Sequence, residues 1–166
     1  MANASYRRFA VCLVCVEFET MAKLTFVLPD EEGELPVRTE SIHCDCLDGR
    51  YKICNIPFFV RDLAFRDVIE VLEKTNDEVV GWRHTMRSCN STIWVKILGS
   101  CDFSSTSKLL RDLGCDVEGF PALDLFAISV PLPVDAATID QCLSRFTDKE
   151  IAIAYPAWRH SEDDVL

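Results

Sequence analysis

Glycine is scarce in this chain, with six residues in 166, and the scarcity disfavours several classes of binding site. Phosphate-binding loops need several glycines close together, because only glycine lets the backbone approach a phosphate closely. The sequence also has no Gly-x-Ser-x-Gly turn and no His-Glu-x-x-His helix. We therefore expect no cofactor and no catalytic residues, and an enzymatic function is disfavoured.

Histidine is rarer still, and the three residues suggest no metal-binding pattern. Structural zinc sites typically use two pairs of ligands, the members of each pair spaced by roughly two to four residues on a turn. Cys12 and Cys15 are three apart in an apolar run, where a strand would point them to opposite faces. Cys44 and Cys46 would share a strand face, but no second pair follows. The sequence thus predicts no metal site.

Long hydrophobic runs are also lacking. Residues 9–16 (FAVCLVCV) are apolar, but eight residues fall far short of the roughly 20 that a membrane-spanning helix needs. A basic start gives residues 1–16 a faint likeness to a signal peptide, yet no small-residue cleavage site appears. Residues 1–21 are therefore an extra N-terminal segment, either a first strand or an extension before a native start at Met21, which we favour. We expect no membrane partner.

Cysteine, by contrast, is abundant, with nine residues. An odd count without regular spacing is not typical of a disulfide framework. Free cysteine in apolar surroundings acts as a small hydrophobic residue, so the composition favours a reducing cytoplasm. Six cysteines are expected in such surroundings: Cys44, Cys46, Cys54, Cys101, Cys115 and Cys142.

Acidic residues outnumber basic ones, which gives a net charge of −10. The imbalance is strongest over residues 101–166, which contain twelve acidic and five basic residues. Such a surface repels phosphate backbones, so nucleic-acid binding is not expected. The charge either serves solubility alone or speeds the encounter with a basic partner protein.

Residues 22–90 have the pattern of a β-rich domain. Asp48 and Gly49 form a hairpin-turn signal between two alternating runs. Residues 56–60 (IPFFV) form an apolar elbow that must be buried. Five or six short strands without a convincing helix favour a small, partly open barrel. The predicted strands are residues 23–28, 37–46, 51–55, 67–73 and 78–86.

Residues 91–160 alternate between strand and helix patterns. The order strand, helix, strand, strand, helix, strand predicts a ferredoxin-like βαββαβ sandwich, so the whole chain is expected to be α+β. Many functions use this arrangement, so it does not identify one. Residues 161–166 are polar and predicted to fray. The predicted elements are strands 92–98, 115–120, 124–130 and 150–155 and helices 104–113 and 135–146.

One polar cluster follows the last strand of the first half. Arginines beside a turn with several hydroxyls can hold a carboxylate or phosphate through charge-assisted hydrogen bonds. Alternatively, the polar residues only form a turn, and the arginines only balance the excess of acidic side chains in the same chain. The candidate ligand-binding residues are Arg83, Arg87, Ser88, Asn90, Ser91 and Thr92.

Several phrases together resemble a bacterial family of no assigned activity, catalogued as domain of unknown function 4265. Residues 48–59 (DGRYKICNIPFF) are similar to its aromatic elbow, and residues 87–92 to an Arg-x-Ser-Gly-x-Ser-Thr phrase. Arg66 stands where the family phrase has glycine, and Asn90 is expected to take a left-handed position meant for glycine. Arg159 and His160 close the resemblance, which covers about residues 22–160. It implies a barrel-like first half, a ferredoxin-like second half and no chemistry.

A non-catalytic cytoplasmic protein that binds a basic partner, as immunity and antitoxin proteins do, fits these features best. The alternatives are a sensor of small anions at the arginine–serine cluster, and an enzyme of unrecorded type that uses a low-pKa Cys89. Five acidic residues of the second half are the candidate partner contacts: Asp112, Asp116, Glu118, Asp135 and Asp140.

Overall fold

The computed structural model describes residues 20–29 and 36–160. The interpretations of residues 1–19, of the acidic loop at 30–35 and of the tail at 161–166 lie outside this range. The described chain folds into a five-stranded barrel followed by a four-stranded sheet with two helices, a mostly β arrangement of the α+β class. Neither of these helices is long and apolar enough to cross a membrane.

The barrel is closed, so the prediction of a partly open barrel is wrong. Its strands pair in chain order, and the ring is completed by a parallel contact of the first and last strands, at Thr25 with Glu78 and Phe26 with Val79. The strands are β1 (Thr20–Val27), β2 (Thr39–Leu47), β3 (Arg50–Ile53), β4 (Val68–Thr75) and β5 (Glu78–Met86).

Alternation of apolar and polar residues places the barrel core. Leu24 and Phe26 on β1 and Ile42 and Cys44 on β2 point inward and are nearly fully buried. The hairpin between β2 and β3 turns at Asp48 and Gly49, which have φ values of 50° and 75°. These positive angles match a turn whose twist suits a two-residue hairpin, and they confirm the predicted turn.

The second half contains four strands and two helices: β6 (Ser91–Ile97), α1 (Ser104–Asp112), β7 (Asp116–Phe120), β8 (Leu125–Val130), α2 (Ala136–Leu143) and β9 (Ile151–Ala157). Its sheet has the antiparallel order β7-β8-β6-β9. Both helices pack on one face of this sheet, where Leu110 and Ile139 are buried against Ile93, Val95 and Ile128. Gly114, at φ 99°, ends the first helix as predicted.

The elbow at residues 56–60 packs the barrel against the other face of the sheet. Phe58 and Phe59 lie 5.8 and 6.3 Å from the ring of Phe120 on β7. Trp94 on β6 donates its Nε1–H to the carbonyl of Pro57, 2.7 Å away. The elbow is therefore buried, as the sequence predicts, and it joins the two halves.

Glu40 on β2 holds this elbow in shape. Its carboxylate accepts the N–H groups of Phe58, Phe59 and Val60 at 2.6, 2.8 and 2.9 Å. Burial raises the pKa of Glu40, whereas the three amide bonds act to lower it. One buried acceptor thus satisfies three consecutive backbone donors that no strand partner reaches.

Two local predictions are wrong. Cys54 is exposed rather than set in apolar surroundings, because it lies just beyond the end of β3. Asn90 has no positive φ, and Arg66 instead takes a left-handed conformation at φ 68°.

Candidate functional site

A fully buried carboxylate, Asp67, lies at the centre of the polar residues between the barrel and the sheet. Arg159, just after β9, donates to both of its oxygens, with NH1 2.5 Å from Oδ1 and NH2 2.8 Å from Oδ2. The backbone N–H groups of Ser88 and Ala64 also donate to the carboxylate, at 2.7 and 2.9 Å. His84 Nε2–H adds a donor 3.1 Å from Oδ2. The carboxylate therefore ties its own loop to the end of β5 and to the residues that follow β9.

The surroundings of Asp67 fix it in the ionised state. Burial alone would raise the pKa of Asp67, but the Arg159 guanidinium and the amides of Ser88 and Ala64 outweigh burial and lower the pKa below its usual value. The Arg159 side chain is 11 % exposed, and its Nε is buried with no partner among the described residues. The ion pair is thus nearly dry, with one unused donor.

A second ion pair lies at the surface beside the first. Arg87 donates to both oxygens of Asp62 at 2.8 and 2.7 Å, and both side chains are about half exposed. Asp62 has a φ of 58°, and its N–H donates to the carbonyl of Pro156 on β9. Arg159 NH2 also reaches the Asp62 carbonyl at 3.5 Å. The loop at Asp62 is thereby fastened to both β5 and β9.

The six predicted ligand-binding residues follow one another along β5 and β6, and each has a partner within the chain. Arg83 pairs with Glu70 on the outside of the barrel, away from Asp67. Ser88 and Asn90 both donate side-chain hydrogen bonds to the carbonyl of Phe65. Thr92 Oγ1 donates to the Leu63 carbonyl, 3.4 Å away. Whether a ligand binds here stays a prediction.

Ser91 and His160 form a pair that resembles a nucleophile and its base. His160 Nε2 lies 3.2 Å from the carbonyl of Pro131, which can only accept, so the ring proton sits on Nε2. In the neutral ring Nδ1 then accepts the Ser91 hydroxyl, 2.6 Å away. Ser91 is fully buried and its Oγ also accepts the N–H of Arg159. A substrate could not reach this hydroxyl, so the pair serves to anchor the end of β9.

Two of the buried cysteines, Cys44 and Cys115, are held in the thiol form by their surroundings. Burial raises the pKa of Cys44 to about 12 and that of Cys115 to about 11, so neither is a thiolate at neutral pH. Cys89, the candidate nucleophile of the enzyme alternative, is exposed between Ser88 and Asn90. Within residues 20–29 and 36–160, no three His, Cys, Asp or Glu side chains are grouped so that they could hold a metal ion.

Two of the clefts that the described residues form open onto the surface beside polar side chains. One of about 550 Å³ lies between α1 and the ends of β6 and β8. Its arginine, Arg111, is engaged by the hydroxyl of Ser107 and the carbonyl of Val117. The other, of about 310 Å³, lies beside the elbow and includes Glu40, whose carboxylate the elbow amides occupy. Neither cleft gathers free polar groups that converge on one point.

The five predicted partner contacts lie at the end of α1, on β7 and on α2, and their role stays a prediction. Asp116 and Glu118 are neighbours on β7, and the end of α1 with Asp112 lies beside that strand. Asp135 and Asp140 lie at the start and middle of α2. Glu118 is half-buried and its carboxylate accepts the N–H of Ile56, so it belongs to the junction rather than to an open surface. Partial burial raises the pKa of Glu118, and the nearby Asp116 adds to the rise.

Much of the negative charge lies outside the described residues. Residues 30–35 contain four acidic and no basic residues, and residues 161–166 contain three acidic and none basic. These two segments therefore account for seven of the ten net negative charges.

The sequence reasoning missed Asp67, Asp62 and Arg159 as interacting residues. Asp67 follows Arg66 in a phrase that the family resemblance singles out, and Arg159 lies in the closing phrase. The only hint in the sequence was that Asp67 and Arg159 both lie in phrases that resemble the same family. The 92 residues that separate Asp67 from Arg159 hid their contact.

The fold and this junction define a class, an α+β protein whose closed barrel is locked onto an antiparallel sheet by a buried ion pair. The chain belongs to the family described as Domain of unknown function (DUF4265), whose profile matches residues 40–153 and confirms the predicted family. No curated protein matches the sequence. A solved structure described as that of a hypothetical protein from Neisseria gonorrhoeae is similar in fold, with a TM-score of 0.69 at 17 % identity. The match covers 85 % of this chain and 97 % of that one.

Proposed function

We propose that this protein is non-catalytic and acts by binding a basic partner protein, in the manner of an immunity or antitoxin protein. One observation carries the proposal. The polar side chains at the junction are bonded to one another, whereas Asp112, Asp116 and Asp140 are exposed and form no ion pair with a described residue. Unpaired surface carboxylates are available to meet cationic side chains, and complementary charge speeds encounter and selects the partner.

The junction has a structural part in this proposal. A binding surface is effective when it is held rigid, because ordering it on binding costs free energy. The Asp67–Arg159 pair and the elbow fix the barrel and the sheet as one support. The acidic segments at residues 30–35 and 161–166 add charge without needing any chemistry.

Two finer assignments belong to the same proposal. The ferredoxin-like class of the second half is supported by its βαββαβ order and by the fully antiparallel order β7-β8-β6-β9. A cytoplasmic location is supported by the seven cysteines of the described chain, all of which are free thiols.

The test is recovery of the tagged protein from its own host at low and at high salt. A stoichiometric basic protein retained at low salt and lost at high salt is the expected result, because surface charge pairs are screened by salt. The variants Asp112→Asn with Asp116→Asn, and Asp135→Asn with Asp140→Asn, should weaken retention. The matched control is Asp48→Asn with Asp77→Asn in two barrel turns. The control should retain the partner as the wild type does. If both acidic variants also retained the partner unchanged, the proposal would be contradicted.

A second candidate function is the sensing of a small anion at Arg83, Arg87, Ser88, Asn90, Ser91 and Thr92. The unpartnered Nε of Arg159 near the Arg87–Asp62 pair is the observation that favours it. A bound anion would have to replace the Asp62 carboxylate on Arg87. Inorganic phosphate should then raise the melting temperature of Asp62→Asn more than that of the wild type, and not that of Asp62→Asn with Arg87→Met.

A further inference from the structure

The two edges of the four-stranded sheet are protected differently. β7 carries Asp116 and Glu118, and charged side chains on an edge strand discourage pairing with other chains. β9 has the sequence IAIAYPA, with no charge, and residues 152–155 are all exposed. The barrel strands close into a ring and offer no edge. Among the strands that the structure describes, β9 is thus the uncharged open edge.

The backbone of β9 has hydrogen-bonding groups that point away from the sheet. Leu98 N–H donates to the Glu150 carbonyl at 2.8 Å, which turns Glu150 towards β6. Because antiparallel pairing alternates, Ala152 and Ala154 also turn to β6, whereas Ile153 turns outward. The regular alternation ends there, since a register shift separates the Trp94–Ala154 pair from the Thr92–Ala157 pair. No described residue bonds to the outward groups of Ile153. The open stretch ends at Pro156, whose carbonyl accepts the N–H of Asp62.

The side chains and charges around this edge indicate what it would accept. Tyr155 is 45 % exposed, and its ring lies 5.1 Å from that of Trp158, so an aromatic surface flanks the strand. Partial burial raises the pKa of Tyr155, and the carboxylate of Asp140 on α2 adds to the rise, which places that charge beside the edge. The edge is therefore apolar along its length, with the Asp140 carboxylate at its border.

We propose that β9 is a docking strand, which takes an extended segment of a partner protein as a fifth strand of the sheet. The accepted segment alternates basic and apolar side chains, so that a cation meets Asp140 and apolar groups meet Ile153 and Tyr155. This inference rests on the proposed binding of a basic partner and names the surface and the mode of binding. Strand addition gives affinity through main-chain bonds and selectivity through side chains. A second copy of this chain fits less well, because it would bring no basic side chain from β9 to meet Asp140.

Amide hydrogen exchange of the full chain tests the proposal directly. The probe is a capped octapeptide that alternates lysine and valine, added at low salt, and the control is the same peptide with glutamate for lysine. The lysine peptide should slow exchange at Ile153 by about tenfold or more, since its N–H group would gain a partner. Exchange at Ala152 and Ala154, which already bond to β6, should change little.

A pair of variants at one position separates main-chain pairing from side-chain contact. Ile153→Pro removes an outward N–H and leaves the bonds to β6 in place, as proline on an edge strand allows. It should abolish binding of the lysine peptide and of any basic partner recovered from the host. Ile153→Val keeps the N–H and most of the apolar surface, so it should bind as the wild type does.

Each of the following results would contradict the proposal that β9 is a docking strand. The lysine peptide could leave exchange at Ile153 unchanged, or slow exchange elsewhere only. Slow exchange of the Ile153 amide in the chain alone, at low concentration, would mean that a segment of the same chain occupies the edge. Protection that grows with protein concentration would mean that a second copy does. If a salt-sensitive partner binds Ile153→Pro normally, the docking strand is wrong while the proposed function stands.

Discussion

At the scale of single residues, the Asp67–Arg159 pair is a nearly buried ion pair that joins the barrel to the sheet. Removing one member of a buried ion pair leaves an uncompensated charge and typically costs about 3–5 kcal/mol. We expect Arg159→Met to lower the free energy of unfolding by that amount, because Asp67 would stay buried without its counter-ion. Urea unfolding of the wild type and the variant measures the change.

The matched control for this variant is Arg83→Met, which removes an exposed arginine from its pair with Glu70. Exposed pairs contribute at most about 1 kcal/mol, so this control should unfold almost as the wild type does. An Arg159→Met variant that loses no more than the control would show that the junction does not depend on the buried pair.

The lowered pKa of Asp67 also predicts how stability depends on pH. Since the folded-state pKa lies below the usual value of 3.8, the carboxylate stabilises the fold fully above that pH. The contribution is lost as the pH falls through the folded-state pKa. The difference in unfolding free energy between the wild type and Asp67→Asn should therefore shrink between about pH 5 and about pH 2. A constant difference across this range would contradict the assignment.

Arg66 offers a prediction of the opposite sign, because it holds a left-handed conformation at φ 68°. Such a conformation is strained for residues with a side chain and free for glycine. We expect Arg66→Gly to raise the melting temperature and to stabilise the fold by about 0.5–1 kcal/mol. The control is Arg61→Gly in the same loop, where φ is not positive and glycine should destabilise. Equal effects at the two positions would rule out backbone strain at Arg66.

At the scale of elements, the elbow depends on one side chain rather than on a strand partner. Glu40→Gln replaces an oxygen that accepts amide protons with an NH₂ group that cannot accept, so at least one buried N–H loses its partner. A hydrogen bond to a charged group contributes about 1.5–3 kcal/mol, and the loss should fall in this range. Exchange of the amides of Phe58, Phe59 and Val60 should speed up selectively. The exposed carboxylate Glu70→Gln is the control, and unchanged exchange at the three amides would contradict the role of Glu40.

The strands and turns were predicted well because each depends on the residue pattern within its own short segment. The strand expected at residues 78–86 is β5, and the Asp48–Gly49 turn follows from two residues that accept positive φ. The predicted helix at 135–146 ended too late, since the chain turns after Leu143 and Phe146 N–H bonds back to its carbonyl. Closure of the barrel was missed because it rests on the parallel pairing of Thr25 and Phe26 with residues over fifty positions away.

The contacts of the polar cluster could not be predicted either, because they join residues that are distant in the sequence. Arg87, Ser88 and Asn90 were recognisable as a polar turn, but their partners Asp62 and Phe65 lie more than twenty residues earlier. Asp67 looked like the start of a strand, and only the folded chain brings Arg159 to it. The division into domains at residues 22–90 and 91–160 stays a prediction.

At the scale of the whole molecule, the two halves share their interior contacts and should unfold together. The elbow packs on Phe120, Trp94 bonds to Pro57, and Asp67 joins Arg159, so neither half keeps its buried surface alone.

Trp82 packs against the barrel core and Trp94 lies in the sheet, and each can report on its own half by fluorescence. Two variants that retain only Trp82 or only Trp94, with phenylalanine at the other tryptophans, should each show a single transition. Each fluorescence midpoint should coincide with the circular-dichroism midpoint of the same protein, as all-or-none unfolding requires. If fluorescence and circular dichroism gave separate midpoints, the halves would be independent units and the junction a loose contact. The variant Phe120→Ala loses the elbow contact. If the molecule unfolds as one unit, this variant should lower the fluorescence midpoint and the circular-dichroism midpoint by the same amount.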